Sequence, residues 1–137
     1  MENKKEFFPG IGKIKFEGKE SKNPFSFRYY DAEKEVYGRK MKDWFKFSMA
    51  YWHTLCAEGT DPFGGPTKIF PWNEGADPIE RAKNKMDAAF EFMQKIGIEY
   101  FCFHDIDLVD EGDSLGEYES NLKQMVSYAK EKMAQTG

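Results

Sequence analysis

Residues 77–105, DPIERAKNKMDAAFEFMQKIGIEYFCFHD, join a capped helix to an apolar strand through a single glycine, and this junction constrains the fold most. Asp77 is a good N-cap, Pro78 fits the first helical position, and Glu80 completes a capping-box pattern. Ile79, Ala82, Met86, Ala89, Phe90, Met93 and Ile96 recur at helical spacing and define one apolar face. Gly97 lies where a left-handed C-terminal cap belongs. The following IEYFCFHD is nearly continuous in apolar residues, as in a parallel-sheet strand covered on both faces.

The remaining sequence extends this alternation. WFKFSMAYWHTL (44–55) predicts a buried strand ending at Trp52 and His53. CAEGTDPFGGPTKIFPWNEGA (56–76) is a long loop dense in Gly and Pro. GEYESNLKQMVSYAKEKMAQTG (116–137) predicts a second amphipathic helix. Its buried stripe would be Tyr118, Leu122, Met125, Val126, Ala129 and Met133, and Gly137 would cap it. Residues 1–43 mix Gly, Pro, Lys and Glu with aromatics. They read as an arm lying on a larger body and anchored by Phe7, Phe8, Phe16, Phe25, Phe27, Tyr29 and Tyr30.

Strands alternating with helices imply parallel pairing through right-handed crossovers. Two strands cannot cover two amphipathic helices, and a (β/α)8 barrel needs about 250 residues against the 137 present. The expected fold class is therefore α/β: an arm over 1–43, then the first two β/α units of a TIM barrel over 44–137, incomplete on its own.

Composition narrows the function classes. With 20 basic and 24 acidic residues and a net charge of −4, the chain has no basic stripe for nucleic acid. No apolar run approaches membrane-spanning length, and the N-terminus lacks a signal peptide's apolar segment. Two scattered cysteines, Cys56 and Cys102, suit a reducing compartment. The expectation is a cytoplasmic protein with no nucleic-acid or membrane partner.

In parallel α/β folds, chemistry gathers on the loops after the strands. Trp52 and His53 follow one apolar run and His104 another, so both clusters fall on one rim. His104 suits acid–base work, and Asp107, three residues later on a tight turn, could fix its tautomer. The bland alternative is a polar strand end with Asp105 and Asp107 as turn formers. His53, Cys56, Cys102 and His104 form a nominal zinc set, although their apolar surroundings favour thiol packing. Trp52 reads as core or as a platform for an apolar ligand face. Phe63, in DPFGG, reads as an exposed loop tip of the kind that marks an interface.

YWHTLC, DPFGGPTK and YFCFHDIDLVDEG, together with NPFSFRYYD in the arm, closely resemble xylose (glucose) isomerase of the class with an extended N-terminal arm. The match runs through essentially the whole chain, in order. The resemblance implies a TIM barrel interconverting aldoses and ketoses by ring opening and a metal-assisted hydride shift. It gives His104 the ring-opening role, with Asp107 holding its other nitrogen. It makes Trp52 a wall of the sugar site and sends Phe63 into a neighbouring subunit's site. It further implies two divalent cations (magnesium, manganese or cobalt) with ligands outside this chain, a homotetramer, and the C-terminal remainder of the barrel as partner. The 137 residues alone would then be inactive. A non-catalytic assembly piece and another metal-dependent barrel, such as an endonuclease or hydrolase, are the competing readings.

Overall fold

The computed structural model describes residues 5–137. In chain order the elements are β1 (Lys15–Phe16), β2 (Ser26–Phe27), β3 (Glu35–Val36), β4 (Arg39–Lys40), α1 (Met41–Trp44), β5 (Ser48–Ala50) and α2 (Tyr51–Leu55). A 3₁₀ turn at Pro71–Asn73 precedes α3 (Pro78–Ile96), β6 (Tyr100–Cys102), α4 (Asp105–Leu108) and α5 (Leu115–Thr136).

The helix–strand junction forms as its sequence requires. The Asp77 carboxylate accepts the Glu80 N–H, while Glu80 reaches back to the N–H of Ala76. Gly97 takes φ 73° and donates to the Met93 carbonyl, closing α3. Ala82, Met86, Ala89, Phe90 and Met93 are buried, and Ala88 joins them. Met86 is 0% exposed, and burying a side chain of that size contributes roughly 1.5–3 kcal/mol.

β5 and β6 pair in parallel, with Ser48 opposite Tyr100, Met49 opposite Phe101 and Ala50 opposite Cys102. α3 is the crossover between them. The α/β class and the parallel pairing are as expected. Among the described residues there is no closed barrel; the sheets are two-stranded.

Four expectations are corrected. The strand in 44–55 is only three residues long, and Trp52 and His53 lie on α2 beyond it, not at its end. The cause is Tyr51 and Leu55, each 1% exposed and one helical turn apart, which pull the chain into a helix to reach the core. Second, β6 is covered on one face only: Phe101 packs toward α3 through Phe90, while Tyr100 and Cys102 on the other face are exposed.

Third, α5 turns Met125 into the core and half-buries Tyr118, Leu122 and Ala129, but Val126 and Met133 are exposed. Its helical neighbours, α3 and the short α4, are too narrow to cover the whole stripe. Fourth, Phe16, Phe25 and Tyr29 do not anchor the arm. Phe7 and Phe8 do, against Trp72 and Phe92, and their backbone N–H groups donate to the Glu91 carboxylate at 2.7 and 3.0 Å. Phe27, Tyr30 and Phe47 form a smaller edge-to-face aromatic row.

The loop over 56–76 does not stay at the surface. Its last part sends Phe70 and Trp72 into the core, stacked with centroids 4.5 Å apart, and the Trp72 indole donates to the Leu55 carbonyl at 3.0 Å.

α5 is fastened to α3 by a polar clamp. Lys132, buried, pairs with Asp87. The Tyr128 hydroxyl donates to the same carboxylate at 2.9 Å, and the ammonium lies 4.9 Å from the Tyr128 ring centre.

Candidate functional site

The parallel register builds the site. Ala50 and Cys102 stand opposite each other at the ends of β5 and β6. Trp52 and His104 each follow two residues later, so both reach the same rim at the same height. Their ring centres are 4.6 Å apart with planes inclined at 45°. The His53 ring centre also lies 5.6 Å from that of Trp52.

His104 is not part of a strand. It is the N-cap of α4, and Asp107 sits three residues on. The Asp107 carboxylate Oδ2 accepts the His104 backbone N–H at 2.7 Å and lies 3.1 Å from the ring Nδ1. An ionised carboxylate can only accept, so the contact is a hydrogen bond where Nδ1 carries a proton, and Nε2 is the nitrogen turned away from it. Asp107 is 8% exposed, whereas 63% of the His104 side chain is open to solvent. The pair therefore presents an exposed imidazole backed by a buried carboxylate. Such a ring can take a proton from, or return one to, a ligand lying against Trp52.

Phe63 stands apart from this trio. It is 98% exposed at a tight turn where its N–H donates to the Asp61 carboxylate at 2.7 Å, with Asp61 and Gly64 bridged. Among the described residues nothing covers this phenyl ring.

The zinc alternative fails on geometry. Cys102 faces Ser48 and the Met49 carbonyl, and Cys56 faces Lys85 and the Asp107 carbonyl. Among the described residues no three His, Cys, Asp or Glu side chains converge. Burial pushes the Cys56 thiol above its ordinary range, and nearby Lys85 only partly offsets this. One residue beneath the rim is not marked by the sequence: Lys85, whose Nζ donates to the Asp107 carbonyl at 3.2 Å and lies 3.6 Å from the Cys56 sulfur. Lys85 flanks the apolar stripe of α3, and no spacing rule marks a contact across 22 residues.

A hollow of about 910 Å³ lies elsewhere, between the arm, the end of α3 and the beginnings of the strands. None of the trio lines it.

Comparison with known proteins now bears on this rim. No family model matches the chain. Over 133 residues, 97% of its length, it is 72% identical to a xylose isomerase of Phocaeicola vulgatus. It is 71% identical to one of Bacteroides fragilis and 54% identical to one of Xanthomonas campestris over the same share. The chain is thus similar to xylose isomerases over nearly its whole length. It spans 30% of the length of these relatives. The segments quoted for the resemblance carry the geometry: YWHTLC supplies Trp52 on α2, FHDID supplies the His104–Asp107 pair, and DPFGG supplies the exposed Phe63. No helix among the described residues is long and apolar enough to cross a membrane.

Proposed function

We propose that this chain is the N-terminal part of an aldose–ketose isomerase that interconverts D-xylose and D-xylulose, and glucose and fructose, and that it acts only with the rest of a TIM barrel. The observation that carries this reading is the convergence of Trp52, His104 and Asp107 on one strand rim, with Nε2 of the imidazole open and Nδ1 held. Homology to xylose isomerases over 97% of the chain supports it.

In this reading Trp52 receives an apolar face of the sugar and excludes water on that side. His104 exchanges a proton at the ring or anomeric oxygen, so that the cyclic aldose opens. Asp107 keeps Nδ1 protonated and stabilises the imidazolium that forms. Positioned acid–base groups of this kind contribute about 10²–10⁴-fold. Divalent cations would supply the charge stabilisation for the hydride shift after ring opening. We assign the cations to residues outside this chain, as the resemblance to xylose isomerases implies. The arm over 1–43 acts as a clasp in a homotetramer, in which Phe63 enters a neighbouring subunit's site, and the assembly is cytoplasmic.

The test is a chimera in which this chain replaces the matched segment of the Phocaeicola vulgatus relative. It should interconvert D-xylose and D-xylulose. His104→Asn should slow turnover of the cyclic sugar by about 10²-fold and spare a substrate that cannot cyclise. A folded, cation-loaded chimera without isomerase activity, or normal turnover of cyclic sugar by His104→Asn, would refute the reading.

A further inference from the structure

We propose that Lys85 is a positioning residue that locks the His104–Asp107 pair to Trp52, an inference that rests on the proton-exchange reading above. Asp107 belongs to α4, a helix of four residues. One turn cannot hold its own shape, and the last carbonyls of any helix lack an intrahelical partner. The Asp107 carbonyl finds its partners outside α4: the Lys85 ammonium donates to it at 3.2 Å, and the Cys56 thiol lies 3.8 Å away. Lys85 also reaches the Cys56 sulfur at 3.6 Å.

These contacts meet at one point from three elements. Lys85 rises from α3, a 19-residue helix capped at both ends and packed along the core. Cys56 is the C-cap of α2, the helix that carries Trp52. Asp107 is the third residue of α4, whose N-cap is His104. The carbonyl and the carboxylate of Asp107 share one Cα, so fixing the first restricts where the second can point. A charge-assisted donor does this more firmly than a neutral one. Lys85 therefore pins the two short helices of the site to the one long, rigid helix beneath them, without facing the sugar itself.

The test uses Lys85→Met, which keeps the length of the stem, and Lys85→Arg, which restores a cationic donor. In the chimera, Lys85→Met should lower kcat on cyclic sugar about 10-fold while KM stays within about twofold. Turnover of a substrate that cannot cyclise should be unchanged, and Lys85→Arg should recover most of the loss. In an Asp107→Asn background, Lys85→Met should add no further loss, because the position it protects is already forfeited. Nitrogen-15 NMR of the chain, which has only two histidines, gives a readout independent of turnover: Lys85→Met should convert the single Nδ1–H tautomer of His104 into a mixture. An unchanged kcat and tautomer in Lys85→Met would overturn the proposal, as would an equal loss on both substrates that adds to Asp107→Asn. If His104→Asn proves silent, the proton-exchange reading falls, and the tautomer spectrum still decides whether Lys85 positions the ring.

Discussion

The clamp between α3 and α5 offers a direct measure of how firmly the scaffold is held. The perturbation is Lys132→Met, which keeps the buried stem and removes the ammonium. Deleting one partner of a fully buried ion pair costs about 3–5 kcal/mol. Here the Asp87 side chain is 22% exposed and keeps the Tyr128 hydroxyl as donor. Water and that hydroxyl offset part of the loss, so about 2 kcal/mol is expected. Asp87→Asn should cost more, about 3 kcal/mol, because it strands an ammonium whose side chain is only 7% exposed. Replacing both by apolar residues, Asp87→Leu with Lys132→Met, should return to within about 1 kcal/mol of the parent. Hydrogen exchange of α5 amides in the chimera reads these values as local opening, and 2 kcal/mol corresponds to about 30-fold faster exchange.

The pH dependence has a definite sign. Burial pulls the Lys132 pKa down, but Asp87 and Tyr128 outweigh it, and the net shift is upward. The clamp is then fully present at neutral pH and weakens only as pH climbs through the folded value, above the ordinary lysine range near 10.4. Exchange rates for both single variants within about twofold of the parent would show that the pair contributes nothing, and the reasoning would fail.

Two further outcomes follow from backbone and surface geometry. Gly97→Ala places a side chain at φ 73° with open space around it, so only conformational strain acts, and about 1 kcal/mol of stability should be lost in denaturant unfolding of the chimera. Phe63→Ala should leave the unfolding midpoint unchanged, because the ring is 98% exposed. In the assembled chimera it should raise KM for the aldose, and equal kinetics for parent and variant would remove Phe63 from the site.

Much of the scaffold was legible because its signals are local. Asp77, Pro78 and Gly97 mark the ends of α3 by chemistry that acts within one turn. The misread segment around Tyr51 shows the limit. An apolar run of that length fits a strand or a helix, and the deciding clue was the four-residue spacing of Tyr51 and Leu55. The residue types on the exposed face of β6 and at Val126 and Met133 ask for cover that the described residues do not provide. At the site, His104 and Asp107 could be paired because they are three residues apart. Lys85 could not, because its partner is reached only through the fold.

The match of Ala50 to Cys102 has one more consequence. Trp52 and His104 meet because two backbones are laddered in step, whatever the loops between them contain. Lengthening or rewriting the stretch around Phe63 would leave the indole and imidazole facing each other. A slip of one rung between the strands would swing one ring to the far side and dismantle the couple without altering a single residue in it.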